Sequence, residues 1–380
     1  MKNIFRIDLN QNRIFGLDIL RAFAILFVVA GHAGNLVESE TYKYINLFLF
    51  DGVGIFFVLS GFLIGGILIK LLKNNTVNLK LLINFWIRRW FRTLPNYFLI
   101  LTTIVIINFL FGKNFTITDK LKYFIFSQNL FSEHPAFFPE AWSLSIEEWF
   151  YLLTPIIIFT FIKIFKTKID NSILITAIGI ILSITFFRYY RYSILSTNDI
   201  DVWNLTFRTQ VFTRLDSLMY GILGAYAHYK YNSFWAKHRA YFFFSGIFLF
   251  IFDKFNFLCF KSFELYDCVF SFSVISLATL FLLPFLSTLK NGKGTIYKSL
   301  TYISLISYSM YLVNYTIVLE WIIMKINWLP LQNLNSHLSL ITKYSLFWFS
   351  TIFLSIIIYK YFETPFMKLR DKITLSKNDG

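Results

Sequence analysis

Charge and cysteine are what this 380-residue sequence has least of. Only 15% of its residues are charged, against about a quarter in a soluble domain, so polar surface to cover a water-soluble core is missing. Two cysteines, Cys259 and Cys268, exclude a disulfide framework and a cysteine metal site. They fall near one outer loop, where an oxidising compartment would permit a single bridge. The five histidines include no pair at i,i+3 or i,i+4, so no metal site is expected. GxSxG, Walker and GxGxxG motifs are absent too.

Apolar residues take the place of charge. The chain is 56% hydrophobic and 21% aromatic, with long apolar runs from residue 14 to residue 362. Runs of about 18–25 residues predict ten membrane spans, near 14–35, 47–69, 94–112, 142–162, 172–190, 209–229, 240–257, 268–287, 302–324 and 341–362. Their continuity excludes a transmembrane barrel, whose strands alternate over roughly ten residues. The first run holds Asp18 and Arg21 and has no small-residue cleavage site, which makes it a retained helix. The expected fold is all-α, a polytopic integral membrane bundle of about ten helices. Residues 1–13 and 367–380 would be tails on either side of a membrane domain at 14–366.

Ten spans put both termini on one side. Charges near span ends are counted with the adjoining segment, and Arg21 and Arg214 lie inside spans. With the N-terminus inside, inner segments then hold 23 of the 36 Lys and Arg residues and outer segments 11. That bias predicts cytoplasmic termini. The net charge of +15 reflects basic inner loops facing anionic headgroups. No basic block on a soluble module suggests nucleic acid. The segment 79–97, LKLLINFWIRRWFRTLPNY, reads as a helix along the inner surface or as the start of the third span.

Ionisable residues at membrane depth call for a partner or a task, since each costs about 2.5–3.5 kcal/mol. Arg21 and His32 are eleven residues apart, which at 100° per residue leaves them about 20° apart around the helix and roughly 16 Å apart along it. Arg21 lies toward the inner end and His32 toward the outer. Arg89 and Arg92 in WIRRWFR share a helix face and suit phosphate, or anchor the protein to lipid headgroups. Glu147 and Glu148 open a long apolar helix, where Glu147 could orient His32 or simply favour the helix N-terminus. Arg214 and Asp216 in RLDSLMYG read as an ion pair or as part of a substrate pocket. Trp142, with Phe137, Phe138 and Trp203, could stack on sugars or form an interfacial aromatic belt.

These residues carry a resemblance to the membrane-bound acyltransferase 3 family, spanning about 13–366. RIFGLDILRAFAILFVVAGH resembles its opening helix, with Arg21, ten residues, then His32. GIFFVLSGFLIGGIL resembles the second helix, and RRWFR resembles the Arg-x-x-Arg element at Arg89 and Arg92. WSLSIEEWFYLLTP resembles the Ser-Leu-x-x-Glu element at Glu147, and ISYSMYLVNY and YFETPF resemble the last two helices. Where relatives commonly carry a histidine after SYSxYL, this chain has Asn314, which leaves the imidazole chemistry to His32. No esterase-like domain is attached, so the resemblance implies the stand-alone form.

The resemblance implies an O-acyltransferase of the bacterial inner membrane. Its acyl group, usually acetyl, would come from cytoplasmic acetyl-CoA, a co-substrate, with no permanently bound cofactor. The acceptor would be a hydroxyl of an extracytoplasmic glycan such as a surface polysaccharide. Arg21, Arg89 and Arg92 would hold the CoA end, His32 would be base or transient acyl carrier, and Glu147 would hold His32. Trp142, Arg214 and Asp216 would shape the acceptor site. The rival from another class is a transporter or flippase of a glycan or lipid-linked precursor, with the same charges forming its path.

Overall fold

The computed structural model describes residues 13–112, 116–195, 199–259 and 264–375. Among them are ten helices of 16 residues or more. These are α1 Phe15–Ala33, α2 Gly52–Asn74, α3 Leu79–Phe111, α4 Ala141–Lys163 and α5 Ile169–Ile194. Then come α6 Leu215–Lys230, α7 Arg239–Cys259, α8 Ser271–Leu286, α9 Gly294–Val313 and α10 Ser336–Ile358. A last helix, α11, covers Thr364–Leu375. No strand occurs among the described residues. Each expected span has its helix.

Eight of these segments are long and apolar enough to cross a membrane. Of the other two expected spans, α6 has only 16 residues, and α7 is a helix of 21 residues that includes Asp253 and Lys254. Apolar side chains cover the outside as well as the core. Phe109, Phe186, Phe244, Phe248 and Phe349 are all exposed, as lipid-facing surface must be. The protein is a multi-pass integral membrane helix bundle.

Segment 79–97 is the start of the third span. Asn78 caps α3 by accepting the Leu81 N–H at 2.9 Å, and the helix then runs 33 residues through Pro95. At 1.5 Å per residue it is about 50 Å long, well beyond a hydrocarbon core of about 30 Å. Its basic first turns therefore extend past the apolar layer.

The most extensively packed helix pair is α2 with α6, and glycine allows close approach. A Cβ on Gly61 would fall 1.9 Å from the Leu218 carbonyl oxygen, and one on Gly221 would fall 2.1 Å from that of Val58. Without water between helices to drive association, such backbone contact supplies the dispersion energy that holds spans together.

Past Val313, α9 widens into a π-helical stretch, Asn314–Ile322. Another π turn, Tyr359–Glu363, links α10 to α11. π segments redirect side chains and gather at functional sites; both are used below. The expected N-terminal tail falls outside the described residues except for Arg13. The expected C-terminal tail is helical to Leu375 where it is described. Arg13 and Arg370 line one cavity, so both described ends lie on the same side of the bundle.

Candidate active site

Two cavities occupy opposite ends of the bundle. The first, about 290 Å³, is reached by Arg13, Arg21, Arg89, Arg92 and Arg370 together with Glu147 and Glu363. Arg13 grips Asp18 through Nε at 3.0 and 2.9 Å and donates to Ser304 Oγ at 3.0 Å. Arg21 lies 3.5 Å from the same carboxylate. One buried acid thus serves two guanidinium groups, leaving net positive charge.

Arg89 and Arg92 lie one turn apart on α3. Arg89 sits over the Tyr151 ring, 4.3 Å from its centroid, and donates to the Tyr151 hydroxyl. That hydroxyl in turn donates to Glu147 Oε2 at 3.1 Å, and Ser60 donates to Oε1 at 2.9 Å. Glu363, placed by the second π turn, accepts from Asn96 at 2.9 Å and Ser309 at 3.0 Å. Arg92 is exposed within this cavity and makes no hydrogen bond or ion pair with a described residue. Five arginines against two glutamates and one shared aspartate make an anion site.

The second cavity, about 600 Å³, is lined by His32, Trp142, Trp203, Arg208, Asp253 and Tyr315, among others. His32 Nδ1 lies 2.5 Å from Asn314 Oδ1. The Asn314 amide nitrogen donates to the carbonyls of Met310 and Tyr311, each at 2.9 Å. Its oxygen must therefore be the acceptor, which puts the His32 proton on Nδ1 and leaves a lone pair on Nε2. The Tyr315 ring meets the imidazole edge to face at 4.8 Å.

Two turns of the outer loop complete this end. Glu140 accepts the Thr316 N–H at 2.8 Å and its hydroxyl at 2.5 Å, tying the loop to the π segment. Burial pushes its carboxyl up to about 7, against the pull of both Thr316 bonds. His134, also in the lining, donates Nε2–H to the Phe138 carbonyl at 2.9 Å, and burial pushes it down to about 4.

The cavities share two lining residues, Val53 and Tyr311. Tyr311 hydroxyl is held 2.6 Å from Ser143 Oγ and 3.0 Å from the Glu140 carbonyl. Phe57 and Trp142 meet edge to face beside it at 6.0 Å. This apolar partition, latched by one phenol, separates the arginine end from the histidine end.

Arg21, Arg89 and Arg92 therefore come together, and His32 and Trp142 line the other cavity. Three expectations change. Glu147 does not hold His32, because Ser60 and Tyr151 take its oxygens at the arginine end and Asn314 takes Nδ1. Nor does the Glu147–Glu148 pair open its helix: α4 starts at Ala141 with no acid in its first turn, so both lie two turns inside. Arg214 and Asp216 line neither cavity and do not pair with each other. Asp216 binds Arg188 at 2.7 Å with both side chains fully buried, and Arg214 reaches Asp51 at 3.5 Å. Of the cysteines, Cys268 is buried beside Phe207 and Phe272, while the Cys259 side chain lies outside the described residues.

Asn314, Tyr311, Arg208, Arg13, Arg370 and Glu363 were not singled out as site residues from sequence. Asn314 and Glu363 sit within motifs quoted above, so a signal existed. Arg13 and Arg370 looked like tail charges.

Comparison with known proteins finds acetyltransferase relatives. Over 162 residues the chain is 34% identical to the peptidoglycan O-acetyltransferase OatA of Listeria monocytogenes (serovar 1/2a), covering 39% of this chain and 24% of that protein. It is 34% identical over 168 residues to YrhL of Bacillus subtilis (strain 168), named as a candidate peptidoglycan O-acetyltransferase, covering 40% and 25%. A protein of Staphylococcus aureus (strain COL), named as a candidate O-acetyltransferase, is 29% identical over 225 residues, covering 56% and 34%. The matched region thus spans a quarter to a third of these relatives' length. No solved structure matches. The family described as "Acyltransferase domain" matches residues 14–360, nearly the whole bundle. With that match over nearly its whole length, the chain that carries Arg21 and His32 on its first helix belongs to the acyltransferase 3 family.

Proposed function

We propose that this acyltransferase takes an acetyl group from acyl-CoA at the cytoplasmic face and delivers it to a hydroxyl of a glycan on the other side. The observation that carries this reading is the pair of cavities meeting at Val53 and Tyr311, cationic at one end and holding His32 at the other. The lysine and arginine bias puts the arginine end inside, where a phosphorylated donor is found. Membership of an acyltransferase family removes the main reason for reading the charges as a transport path.

Arg21, Arg89 and Arg92 bind the donor's phosphates, Arg92 with its whole guanidinium still available. The pantetheine arm extends along α1 toward the partition. His32 Nε2 takes the proton from the acceptor hydroxyl as its oxygen attacks the thioester carbonyl. The C–O bond forms, the C–S bond breaks, and the proton passes from His32 to the departing thiolate. Asn314 keeps the imidazole in the one tautomer that can do this.

In the outer cavity, Trp142 and Trp203 offer faces to a sugar, and Asp253 offers a hydrogen-bond acceptor. The relatives named for peptidoglycan make a wall glycan the first acceptor to try, followed by surface polysaccharide. The test supplies radiolabelled acetyl-CoA to the cytoplasmic side of membranes holding wild type or His32→Ala at equal abundance. Label should enter extracted glycan only with wild type. Equal transfer by both would remove His32 from the chemistry; transfer by neither would reopen the reaction class.

A further inference from the structure

We infer that Val53 and Tyr311 decide which acyl group this enzyme transfers. The inference rests on the function proposed above and concerns a property that neither the family match nor the motif residues assign.

The two cavities have no other lining residue in common. An acyl group bound by its CoA at the arginine end must pass this point to meet an acceptor activated by His32. Both residues are almost wholly buried, at 6% and 7% exposure, and the two cavities remain separate on either side of them. What separates them is small. Val53, at the start of α2, contributes two methyl groups to both linings. Tyr311 contributes its ring, with the hydroxyl fixed by its bonds to Ser143 and the Glu140 carbonyl. Phe57, in the lining of the arginine cavity, and Trp142, in that of the other, meet edge to face.

Two physical consequences follow. Neither residue shared by the two cavities is charged, so an acyl group carrying a carboxylate would be desolvated there with only hydroxyls and a backbone carbonyl near it, and no cation on either shared residue. The passage is also narrow, and interiors this closely packed yield by a methyl group only at measurable cost. An acetyl group presents a single methyl in front of the carbonyl, whereas a branched acyl group presents two and needs the ring to move further. Misfit of one carbon in an apolar site is worth about 1–3 kcal/mol, or roughly 10- to 200-fold in selectivity. The transfer itself is unchanged: carbonyl carbon leaves sulfur for the acceptor oxygen, and the hydroxyl proton goes to the thiolate.

The test measures transfer from acetyl-, isobutyryl- and succinyl-CoA to the same acceptor by wild type, Val53→Ala and Tyr311→Phe, with free CoA and acylated glycan both quantified. Wild type should prefer acetyl. Val53→Ala should narrow the acetyl-to-isobutyryl ratio by about tenfold while still rejecting succinyl. Tyr311→Phe keeps the ring but loses the latch, and should relax the same ratio and release more free CoA per acyl group transferred. If Val53→Ala expresses poorly, Val53→Thr keeps the shape and adds a hydroxyl; it should leave isobutyryl excluded. Unchanged ratios in an active Val53→Ala would overturn the inference and leave the proposed function standing. A wild type that takes no acyl group from any CoA ester would overturn both.

Discussion

The oxygen of Asn314 lies 2.5 Å from His32 Nδ1 while its nitrogen is spent on two backbone carbonyls. A neutral amide here does what a carboxylate does in many catalytic sites, fixing the ring and its tautomer, but without adding charge to the imidazole. Losing it should be costly. Asn314→Leu should lower kcat by up to about 10²–10⁴, the contribution of a general base, with little change in KM for the donor. Asn314→Asp supplies the missing charge and favours the imidazolium. Because the base works only when neutral, the acid limb of the pH–rate profile should then move to higher pH. A profile identical to wild type would mean that the bond does not govern the base.

Arg92 is exposed at the arginine end with no described partner, whereas Arg89 is engaged with Tyr151. The two should therefore respond differently. Arg92→Ala removes a charge-assisted contact worth about 1.5–3 kcal/mol, so KM for acetyl-CoA should rise roughly 10- to 100-fold with kcat less affected. Arg89→Ala also frees the tyrosine that steadies Glu147, and should lower protein yield as well. Steady-state kinetics beside immunoblots of membrane abundance separates the two.

The Arg188–Asp216 pair is fully buried and lines neither cavity itself, although Arg188 packs 5.4 Å over the ring of Phe272, which lines the second. Removing one partner strands a charge, at a cost of about 3–5 kcal/mol. Asp216→Ala should lower the temperature of thermal aggregation sharply, and whatever protein survives should retain its KM values. Replacing both partners with apolar residues should recover much of the loss.

Glu140 bonds Thr316 through both oxygens, and burial raises its carboxyl to about 7. A carboxyl raised on folding contributes stability that is full below about 4.5, its ordinary value, and is lost as pH rises through about 7. Glu140→Gln should flatten the fall in stability between those values, as read by thermal unfolding across pH. An unaltered slope would assign the pH dependence to other groups.

The membrane class was legible because apolar runs of span length need no tertiary information. His32 and Arg21 were legible for a related reason: residues on one helix share a face by period alone. The arginine pair on α3 is local too. What escaped were partners brought together from far along the chain. Nothing local ties Asp216 to Arg188 on α5, when Arg214 sits two residues away. Glu147 was assigned to His32 because the start of its helix was expected on the outer side, yet it lies two turns deeper, at the arginine end. A π stretch, which shifts every following side chain around the axis, cannot be read from apolar periodicity, and Asn314 stands at its first residue.

Arg13, at the first described residue, and Arg370, in the last described helix, both line the arginine end. The helix bearing His32 and the wall supplied by α11 thus lie far apart in the sequence, and the arginine cavity is complete only when both are in place. The same geometry makes α11 a handle: anything that drew it away from α3, on which it packs, would open the arginine cavity without touching the imidazole.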